Sequence, residues 1–572
     1  MRKFLCCIVF VALQFAAYAQ SADTDLYRQS SEVNNIMVQY NADRGTLSRF
    51  YAIPNTPERR ERMKLLQDTY IKRLEQLDFD KLPTGSRVDY ILFHRNLDDE
   101  LFRLNEEKEE YAAVEKWFPF AERMYAIERT RRRGTAPDAE KLAGELNSIA
   151  KELLVKKAAL QKDSAMPLAL SRRAAGIARG LQASIKSSYD FYNGYDPLYS
   201  WWIPMPYNRL DSLLSGYAAL FQSKGKNAVS QKDDGSGIIG NPIGNAELIR
   251  QLKEEMIAYT PDELIAIANK EFAWCDAEML KASREMGFGD DWKAAMEKVK
   301  NTYVPAGKQP EAMMKLYNES LDFIKKNQLI TIPALAEETW RMNMLSPERQ
   351  LVAPFFLGGE EFLIAYPTNT MAHEDKMMSM RGNNPHFSRA TVHHELLAGH
   401  AMQQFMNSRY RTYRRFGTPF WTEGWALYWE RLLWDLKFPQ GPEDRIGMLF
   451  WRMHRCARII FSLSYHTNKW TPQQCINFLV DRVNFERANA EGEVRRSFTG
   501  GYGPLYQVAY MIGGLQFEAL KKELVDGGKM SYREFHDAVI TENAMPVEMV
   551  RAILLKQPLK KDYKTSWRFY KL

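Results

Sequence analysis

The chain has 572 residues, of which 45% are hydrophobic, 26% charged and 12% aromatic. This composition is typical of a globular protein that is long enough to bury a sizeable core. Its 78 basic and 71 acidic residues give a formal charge of only +7. So small an excess on so long a chain argues against a nucleic-acid partner.

The N-terminus reads MRKFLCCIVFVALQFAAYAQ. Arg2 and Lys3 precede an apolar stretch from Phe4 to Phe15, and Ala17-Tyr18-Ala19 offers a cleavage site, so we predict a secretory signal peptide at 1–19. The mature protein is expected to be exported, either periplasmic or secreted. No stretch of the chain approaches the roughly 18 uninterrupted apolar residues of a membrane-spanning helix, so we expect no membrane span.

Three cysteines follow this segment: Cys275, Cys456 and Cys475. Three thiols cannot form a disulfide framework for a chain of this size, so a large core must hold the fold. Cys456 and Cys475 could form a bridge, and buried free thiols are at least as good an interpretation.

Apolar residues recur with helical period over most of the chain. We predict helices over 62–78, over 247–280 with a split at Thr260-Pro261, and over 473–490. Strand patterns are few, namely LITIP (329–333) and EFLIAYP (361–367). The predicted fold is therefore mainly α, with a small β-sheet near the active site.

The longest loop-like stretch, 224–245, is rich in Gly, Asn and Asp. It either separates an N-terminal helical half, 20–240, from a catalytic half, 241–572, or it is a surface loop within one domain over 20–572. The segment 361–367 could provide an edge strand that pairs with an extended substrate.

Seven of the nine histidines lie between His373 and His466, and the stretch TVHHELLAGHAMQ (391–403) contains three of them. In the zinc-peptidase helix motif H-E-x-x-H, histidines at i and i+4 share one face and reach one zinc ion. Here His400 follows His394 by six residues. The pattern is therefore related to that motif but differs in spacing.

On an unbroken helix, His394 and His400 would lie about 9 Å apart along the axis and about 120° apart around it, so they could not share an ion. Extruding two residues as a bulge restores the i, i+4 relation. Gly399 lies where a helix is most easily distorted. We therefore predict a distortion between Leu396 and Gly399.

A second candidate stretch is PFWTEGWALYWERLLWDL (419–436). Thr422 can cap a helix whose first turn carries Glu423, and Glu430 lies on the same face seven residues later. Glu395 lies beside a candidate ligand on a different helical face, which is the position of a general base for metal-activated water.

Each of these features also has an ordinary structural explanation. A single His-Glu pair on a helix is usually a surface feature, and a Trp-rich helix is usually a packed core helix whose glutamate faces the helix dipole. The clustering of histidines favours a metal site over both. No phosphate loop, serine nucleophile motif or paired C-x-x-C motif competes with it.

The two patterns H-E-x-x-x-G-H and E-G-W-A-x-Y-x-E together resemble the family called domain of unknown function 885, considered zinc peptidases of gluzincin type. The similarity extends to 256–279, 378–395 and 504–515, and covers at least 245–520. It implies a large helical zinc-peptidase-like fold that binds Zn²⁺ and takes peptides as substrates.

By this resemblance, His394, His400 and Glu423 are the metal ligands and Glu395 is the catalytic base. His466 and Tyr510 match downstream positions of the family and are candidates to stabilise the oxyanion. Either of these two could instead be a packed, hydrogen-bonded core residue.

The sequence departs from the family at two places. The usual Pro-Gly-His-His reads Ala398-Gly399-His400-Ala401 here, which removes a helix-breaking proline and a second-shell or substrate-contacting histidine. The usual Pro-Gly-Gln reads Pro504-Leu505-Tyr506. Because all four metal and base residues are retained, these departures bear on substrate preference more than on catalysis.

We therefore predict an exported zinc metallopeptidase that hydrolyses peptide bonds, with zinc polarising the scissile carbonyl and Glu395 moving the proton. The alternative from another class is a peptide- or metal-binding protein that has lost catalysis. Retention of Glu395 argues against that alternative, and the changes at Ala398 and Ala401 leave it open. The sequence does not indicate endo- or exopeptidase specificity, or an oligomeric state.

Overall fold

The computed structural model describes residues 30–226, 233–350, 355 and 357–572, so the predicted signal peptide lies outside it. Within the described residues the fold is mainly α, as predicted, and the strands form two small two-stranded sheets. None of the described helices is long and apolar enough to cross a membrane.

The chain divides into two compact units. Within the described residues, the N-terminal unit contains 33–81 and 90–226, and the C-terminal unit contains 30–32, 82–89 and 233–572. The two halves predicted from the sequence remain a prediction.

The N-terminal unit is built mainly from helices that pack around its own apolar core. Its elements, including a helix that begins within Leu82–Asp89, are α1 (Asn34–Phe50), α2 (Pro57–Glu75), α3 (Thr84–Val114), α4 (Ala121–Arg131), α5 (Ala139–Lys162), β1 (Met166–Pro167), α6 (Leu168–Tyr192), α7 (Pro197–Trp202), α8 (Pro204–Lys224) and β2 (Gly225–Lys226). Helix α6 packs on α4 and α8, and β1 pairs with β2 in parallel. The helix predicted over 62–78 falls largely within α2.

The C-terminal unit carries the remaining helices and the second sheet. Its elements are α9 (Gly244–Glu254), α10 (Pro261–Glu285), α11 (Trp292–Lys300), α12 (Gln309–Lys326), α13 (Ala334–Thr339), β3 (Arg341–Met344), α14 (Pro347–Gln350), β4 (Glu361–Ile364), α15 (His373–Gly382), α16 (Pro385–Glu395), α17 (His400–Asn407), α18 (Pro419–Asp435), α19 (Pro442–His466), α20 (Pro472–Val483), α21 (Arg487–Thr499), α22 (Tyr506–Lys521), α23 (Tyr532–Thr541) and α24 (Val547–Leu554).

Four helices begin at a Thr-Pro dipeptide in the sequence. In each, the threonine hydroxyl accepts a hydrogen bond from a backbone N–H of the first turn, and the proline occupies a position whose N–H would have no helical partner. The dipeptides are Thr56-Pro57, Thr260-Pro261, Thr418-Pro419 and Thr471-Pro472. The predicted split at Thr260-Pro261 is confirmed. The predicted cap at Thr422 is wrong, because the third of these dipeptides starts α18 one turn earlier.

Two other local predictions are corrected by the structure. The segment 473–490 forms two helices rather than one, because Asn484 adopts a left-handed conformation after α20. The segment 329–333 is not a strand. Leu329 and Ile330 are buried apolar residues in the irregular stretch that leads to α13. The segment 361–367 does contain a strand, β4, as predicted.

Helix α19 lies at the centre of the C-terminal unit. It packs against α10, α16, α20 and α22, and every residue from Ile446 to His466 is buried. A helix that is apolar all round is expected in such a position. Helix α19 also buries three arginines, Arg452, Arg455 and Arg458, and these return in the description of the site.

The three described cysteines are free and buried, so the suggested bridge between Cys456 and Cys475 is absent and the alternative of buried free thiols holds. Burial raises the pKa of both thiols, and the nearest thiol to Cys456 is Cys275 on α10. The core is therefore held by packing rather than by cross-links.

Candidate metal centre

The histidine-rich helix is broken where the sequence predicts a distortion. Helix α16 ends at Glu395 and α17 begins at His400, and the ψ angles of Leu396 and Gly399 are −132° and −129°. The residues from Leu396 to Ala398 are buried. The indole Nε1 of Trp425 donates a hydrogen bond of 2.8 Å to the Ala398 carbonyl, which the break removes from helical bonding. The predicted distortion is thus confirmed.

Gly399 is required by the close approach of the chain to itself at this break. A Cβ atom at position 399 would collide with the backbone carbonyl oxygens of His394 and His393. Any side chain here would push α17 away from α16. The glycine therefore allows His400 to return to the end of the helix that carries His394.

Three predicted ligands converge at the break. The Nε2 atoms of His394 and His400 lie 3.7 Å and 3.4 Å from Oε2 of Glu423, and one potential donor atom from each residue lies within 4.8 Å of the others. The imidazole ring centroids are 4.9 Å apart. Among the described residues, this is the single cluster of His, Cys, Asp or Glu side chains close enough to hold a metal ion.

The outer nitrogen of each imidazole is held by a second residue. Glu430 Oε1 lies 2.7 Å from Nδ1 of His394, and Gln403 Oε1 lies 2.9 Å from Nδ1 of His400. These acceptors favour hydrogen on Nδ1, so each Nε2, once it has lost its proton, offers a lone pair on the side of Glu423. The tautomers fit metal ligation.

Glu423 is positioned by a close contact between α18 and α22. A Cβ at Gly424 would collide with Gly513, and a Cβ at Gly513 would collide with the carbonyl of Phe420, so the two helices meet with backbone against backbone. The hydroxyl of Tyr506 at the start of α22 donates a hydrogen bond to Glu423 Oε1. The other carboxylate oxygen, Oε2, remains directed at the histidines.

The charges of the cluster are strongly coupled. Burial disfavours the charged form of His394, but hydrogen bonds to Glu423 and Glu430 raise its pKa to about 9. Burial also opposes ionisation of Glu423, yet His400 and His394 hold its pKa well below the ordinary value. The pKa of His400 is raised, since the charge of Glu423 outweighs burial.

Glu395 lies beside the three predicted ligands and is partly exposed to the same cavity. Burial, with a further contribution from Glu423, raises the pKa of Glu395 above its ordinary value despite the opposing charges of His394 and His400. A raised pKa suits a carboxylate that accepts and returns a proton near neutral pH. Glu395, the residue predicted to be the base, therefore lines the same cavity as the predicted ligands.

Leu357 and Gly358, which precede β4 in the chain, line this cavity. Strands β3 and β4 pair in parallel, and Leu357 forms an antiparallel bridge to Leu363 on the opposite side of β4. Since β4 has neighbours on both sides at Leu363, it is not the free edge expected for 361–367. The adjacent Gly358 lies so close to Glu395 that a Cβ would collide with it, which places a backbone segment directly against the base.

The two candidates for oxyanion stabilisation have different positions. Tyr510 lines the cavity, and its ring stacks on His394 with centroids 6.4 Å apart. His466 lies outside the cavity lining, with its ring against Tyr465 and Phe498. Burial lowers the pKa of His466 to about 4, so it is a neutral core residue. The expected catalytic position of His466 is therefore corrected.

Several cavity residues were missed by the sequence analysis. The cavity has a volume of about 280 Å³. Its lining includes three arginines, a glutamate that pairs with two of them, and two tyrosines, namely Arg455, Arg458, Arg496, Glu493, Tyr502 and Tyr506. The spacing Arg452-x-x-Arg455-x-x-Arg458 within an otherwise apolar helix was the available signal, since buried arginines need partners.

A larger cavity of about 800 Å³ lies elsewhere in the C-terminal unit. Its charged groups largely satisfy one another: Asp444 lies 2.6 Å from Nδ1 of His386 and 2.9 Å from Nε of Arg389, which also donates to Glu319. The cluster of described residues that could hold a metal ion lines the smaller cavity, which is therefore the better candidate for chemistry.

Comparison with known proteins gives a family and a fold. Residues 54–554 match the family described as bacterial protein of unknown function (DUF885). The search of curated proteins found no match.

Two solved structures resemble this chain. A candidate lipoprotein of unknown function from Shewanella oneidensis is 16% identical, with a TM-score of 0.65 over 92% of this chain and 100% of that one. A candidate lipoprotein from Colwellia psychrerythraea is 17% identical, with a TM-score of 0.49 over 82% of this chain and 76% of that one. The first likeness shows a shared fold.

Proposed function

The chain belongs to the family described as bacterial protein of unknown function (DUF885), and we propose that it is an exported zinc metallopeptidase of gluzincin type. The observation that carries the proposal is the convergence of two imidazole Nε2 atoms on one carboxylate oxygen, with Glu395 beside them in a cavity. The signal-peptide pattern at 1–19 supports export.

The donor set fits zinc. Two histidine nitrogens and one carboxylate oxygen are a known ligand combination for catalytic zinc, and they leave a coordination position open. His394, His400 and Glu423 would hold the ion, and their outer partners Glu430 and Gln403 fix the ring orientations that ligation needs. When bound, zinc supplies a Lewis acid that polarises a carbonyl and acidifies water.

The proton transfers fall to Glu395. Its carboxylate takes a proton from the attacking water and returns it to the departing amine, which a raised pKa favours. Burial keeps the pKa of Tyr510 above its ordinary value, so its hydroxyl stays protonated and is able to donate a hydrogen bond to developing negative charge. The backbone at Gly358 lies directly against Glu395, so the space beside this carboxylate is narrow.

Metal analysis combined with a peptide library tests the proposal. Purified protein should contain zinc at one ion per chain, and it should cleave members of a mixed peptide library. A chelator should abolish cleavage, and added zinc should restore it. Zinc-loaded protein that cleaves no peptide would favour the binding protein instead, and protein that never retains zinc would refute both.

Zinc binding is expected to release protons and to strengthen as the pH rises. Without metal, the pKa of His394 is about 9, so at neutral pH zinc must displace its proton. The raised pKa stabilises the metal-free fold below about 6.5, and this contribution is lost as the pH rises through 9. Between pH 6.5 and 9, the affinity for zinc should therefore rise while the stability of the metal-free fold falls.

Calorimetry at neutral pH in buffers of different ionisation enthalpy measures this proton release. A zinc-binding enthalpy that does not depend on the buffer would contradict the assignment of His394 as a ligand that is protonated before zinc binds.

A further inference from the structure

One wall of the candidate cavity is cationic. Arg455 and Arg458 on α19 and Arg496 on α21 line it, and the carboxylate of Glu493 lines it as well. Glu493 accepts hydrogen bonds of 2.7 Å from Arg458 Nε and 2.8 Å from Arg496 Nε. Its oxygens also accept from Gln507 Nε2 at 3.0 Å. The bonding capacity of Glu493 is therefore occupied by the other two arginines and the amide.

Arg455 is the arginine without a close carboxylate. The carboxylate nearest to it is Glu430, 3.6 Å from Nη2, and Glu430 is already bonded to His394 at 2.7 Å. Nε of Arg455 is buried without a hydrogen-bond partner, and Nη1 is 3.4 Å from His454 Nδ1. Only 4% of the residue is exposed. Burying a guanidinium with so few hydrogen-bond partners costs free energy unless a ligand accepts the remaining hydrogen bonds.

The aromatic neighbours of Arg455 hold its guanidinium in one orientation. The guanidinium carbon lies 5.1 Å from the ring centroid of Trp451 and 5.1 Å from that of Tyr510, and both rings line the same cavity. Stacking of this kind stabilises a cation but satisfies none of its N–H groups. The planar guanidinium of Arg455 is therefore held in one orientation, and it has N–H groups available for a ligand.

The electrostatics of the wall agree with this geometry. Burial and the charge of Arg458 lower the pKa of Arg455, whereas the pKa of Arg458 is raised because Glu493 outweighs its burial. Arg455 is therefore the undercompensated cation. A planar, bidentate donor of this kind matches a carboxylate.

We propose that Arg455, supported by Arg458 and Arg496, forms a subsite for a substrate carboxylate beside the metal centre. The proposal rests on the proposed function and narrows its substrate class to peptides with an anionic group close to the scissile bond. Because a cavity of about 280 Å³ lies at the small end of ligand sites, that group belongs to one of the residues next to the bond.

Two parts of a peptide could supply the carboxylate, namely its C-terminus or the side chain of Asp or Glu. In the first case the chain is an exopeptidase that removes short C-terminal pieces. In the second it cleaves beside acidic residues. The shared chemistry is the carboxylate, and matched peptides distinguish its sources.

Peptide binding to the zinc-loaded, cleavage-impaired variant Glu395→Gln tests the subsite without relying on turnover. The probes are an uncharged N-acetylated tetrapeptide as its free acid, the same peptide as its amide, and the amide with one Asp introduced at each position in turn. We expect the free acid or an Asp-containing amide to bind about 10–100-fold more tightly than the neutral amide, the gain typical of a hydrogen-bonded charge.

Adding Arg455→Met to this variant should remove the preference, and Arg455→Lys should keep part of it because the charge remains without the planar fork. Arg445→Met is the matched control, since Arg445 lies on the same helix, is paired with Glu285 at the surface, and is outside the cavity. It should leave the preference unchanged. Zinc content and melting temperature report whether each variant is folded.

The outcomes separate the subsite from the proposed function. Equal binding of all probes, or binding of none, overturns the subsite, and so does a preference that survives Arg455→Met. If Arg455→Met does not fold, the comparison of acid and amide on the Glu395→Gln background alone decides. A carboxylate preference in a protein that cleaves nothing supports the subsite and refutes the peptidase. Peptide cleavage by the wild type, together with no preference for the carboxylate probes, supports the peptidase and refutes the subsite.

Discussion

Replacing Glu395 by glutamine is expected to leave zinc bound while turnover falls by about 10²–10⁴ or more, the range for lost general acid–base catalysis. Glutamine keeps the shape of the side chain and much of its hydrogen bonding but cannot accept the proton. Glu395 lines the cavity beside the ligands and is not one of the three converging donors. The loss should therefore appear in catalysis and not in metal content.

His394→Ala provides the contrast. It removes one of the converging nitrogens and leaves Glu430 without its 2.7 Å partner, so zinc and activity should disappear together. Measuring zinc content and the rate of peptide cleavage on the same preparations separates proton transfer from metal assembly. Undiminished cleavage by Glu395→Gln would show that Glu395 is not the base.

Glu423→Ala is expected to cause the loss of most bound zinc, while Glu430→Gln should retain it with an affinity reduced about 10–100-fold. Glu423 Oε2 faces both imidazole Nε2 atoms, whereas Glu430 faces the outer nitrogen of His394. Glutamine at 430 still accepts a hydrogen bond from that nitrogen, which makes it a conservative control. Competition with a chelator of known zinc affinity measures both variants.

The opposite pattern, with zinc lost from Glu430→Gln and kept by Glu423→Ala, would exchange the roles of the two carboxylates. A melting curve for each metal-free variant controls for unfolding. Because Glu430 Oε1 also lies 3.6 Å from Nη2 of Arg455, Glu430→Gln is expected to lower the stability of the metal-free protein as well.

The local geometry of the ligands could be predicted because it follows from helix periodicity. His394 and His400 cannot share an ion on a regular helix, and Gly399 marks the point at which the chain can turn back. That argument requires no knowledge of the rest of the fold. The mainly α class followed in the same way from apolar residues at helical spacing over most of the chain.

Residues brought to the cavity by tertiary packing were not predictable from spacing. Arg455 and Tyr506 lie more than 50 residues beyond His400 in sequence, and only the packing of α19 and α22 brings them to it. Tyr506 did carry a signal, since it stands where the family usually has the glutamine of Pro-Gly-Gln. In this chain the tyrosine hydroxyl there bonds the carboxylate of Glu423.

His466 was predicted as a site residue but does not line the cavity. Its place in a region rich in histidines suggested chemistry, but it lies at the C-terminal end of α19, away from the centre of that helix where Arg455 faces the cavity. Clustering along a sequence does not fix which side of a helix a residue occupies. A neutral histidine among aromatic rings is a common core feature.

Glu430 lies near both His394 and Arg455, so the proposed binding of metal and the proposed binding of peptide would be thermodynamically coupled. A peptide carboxylate that engages Arg455 weakens its hold on Glu430, and the freed carboxylate then polarises His394 more fully and strengthens it as a donor. Any factor by which the peptide tightens metal binding is necessarily the factor by which the metal tightens peptide binding. An exported protein of this design would retain its metal most firmly while it is occupied by substrate.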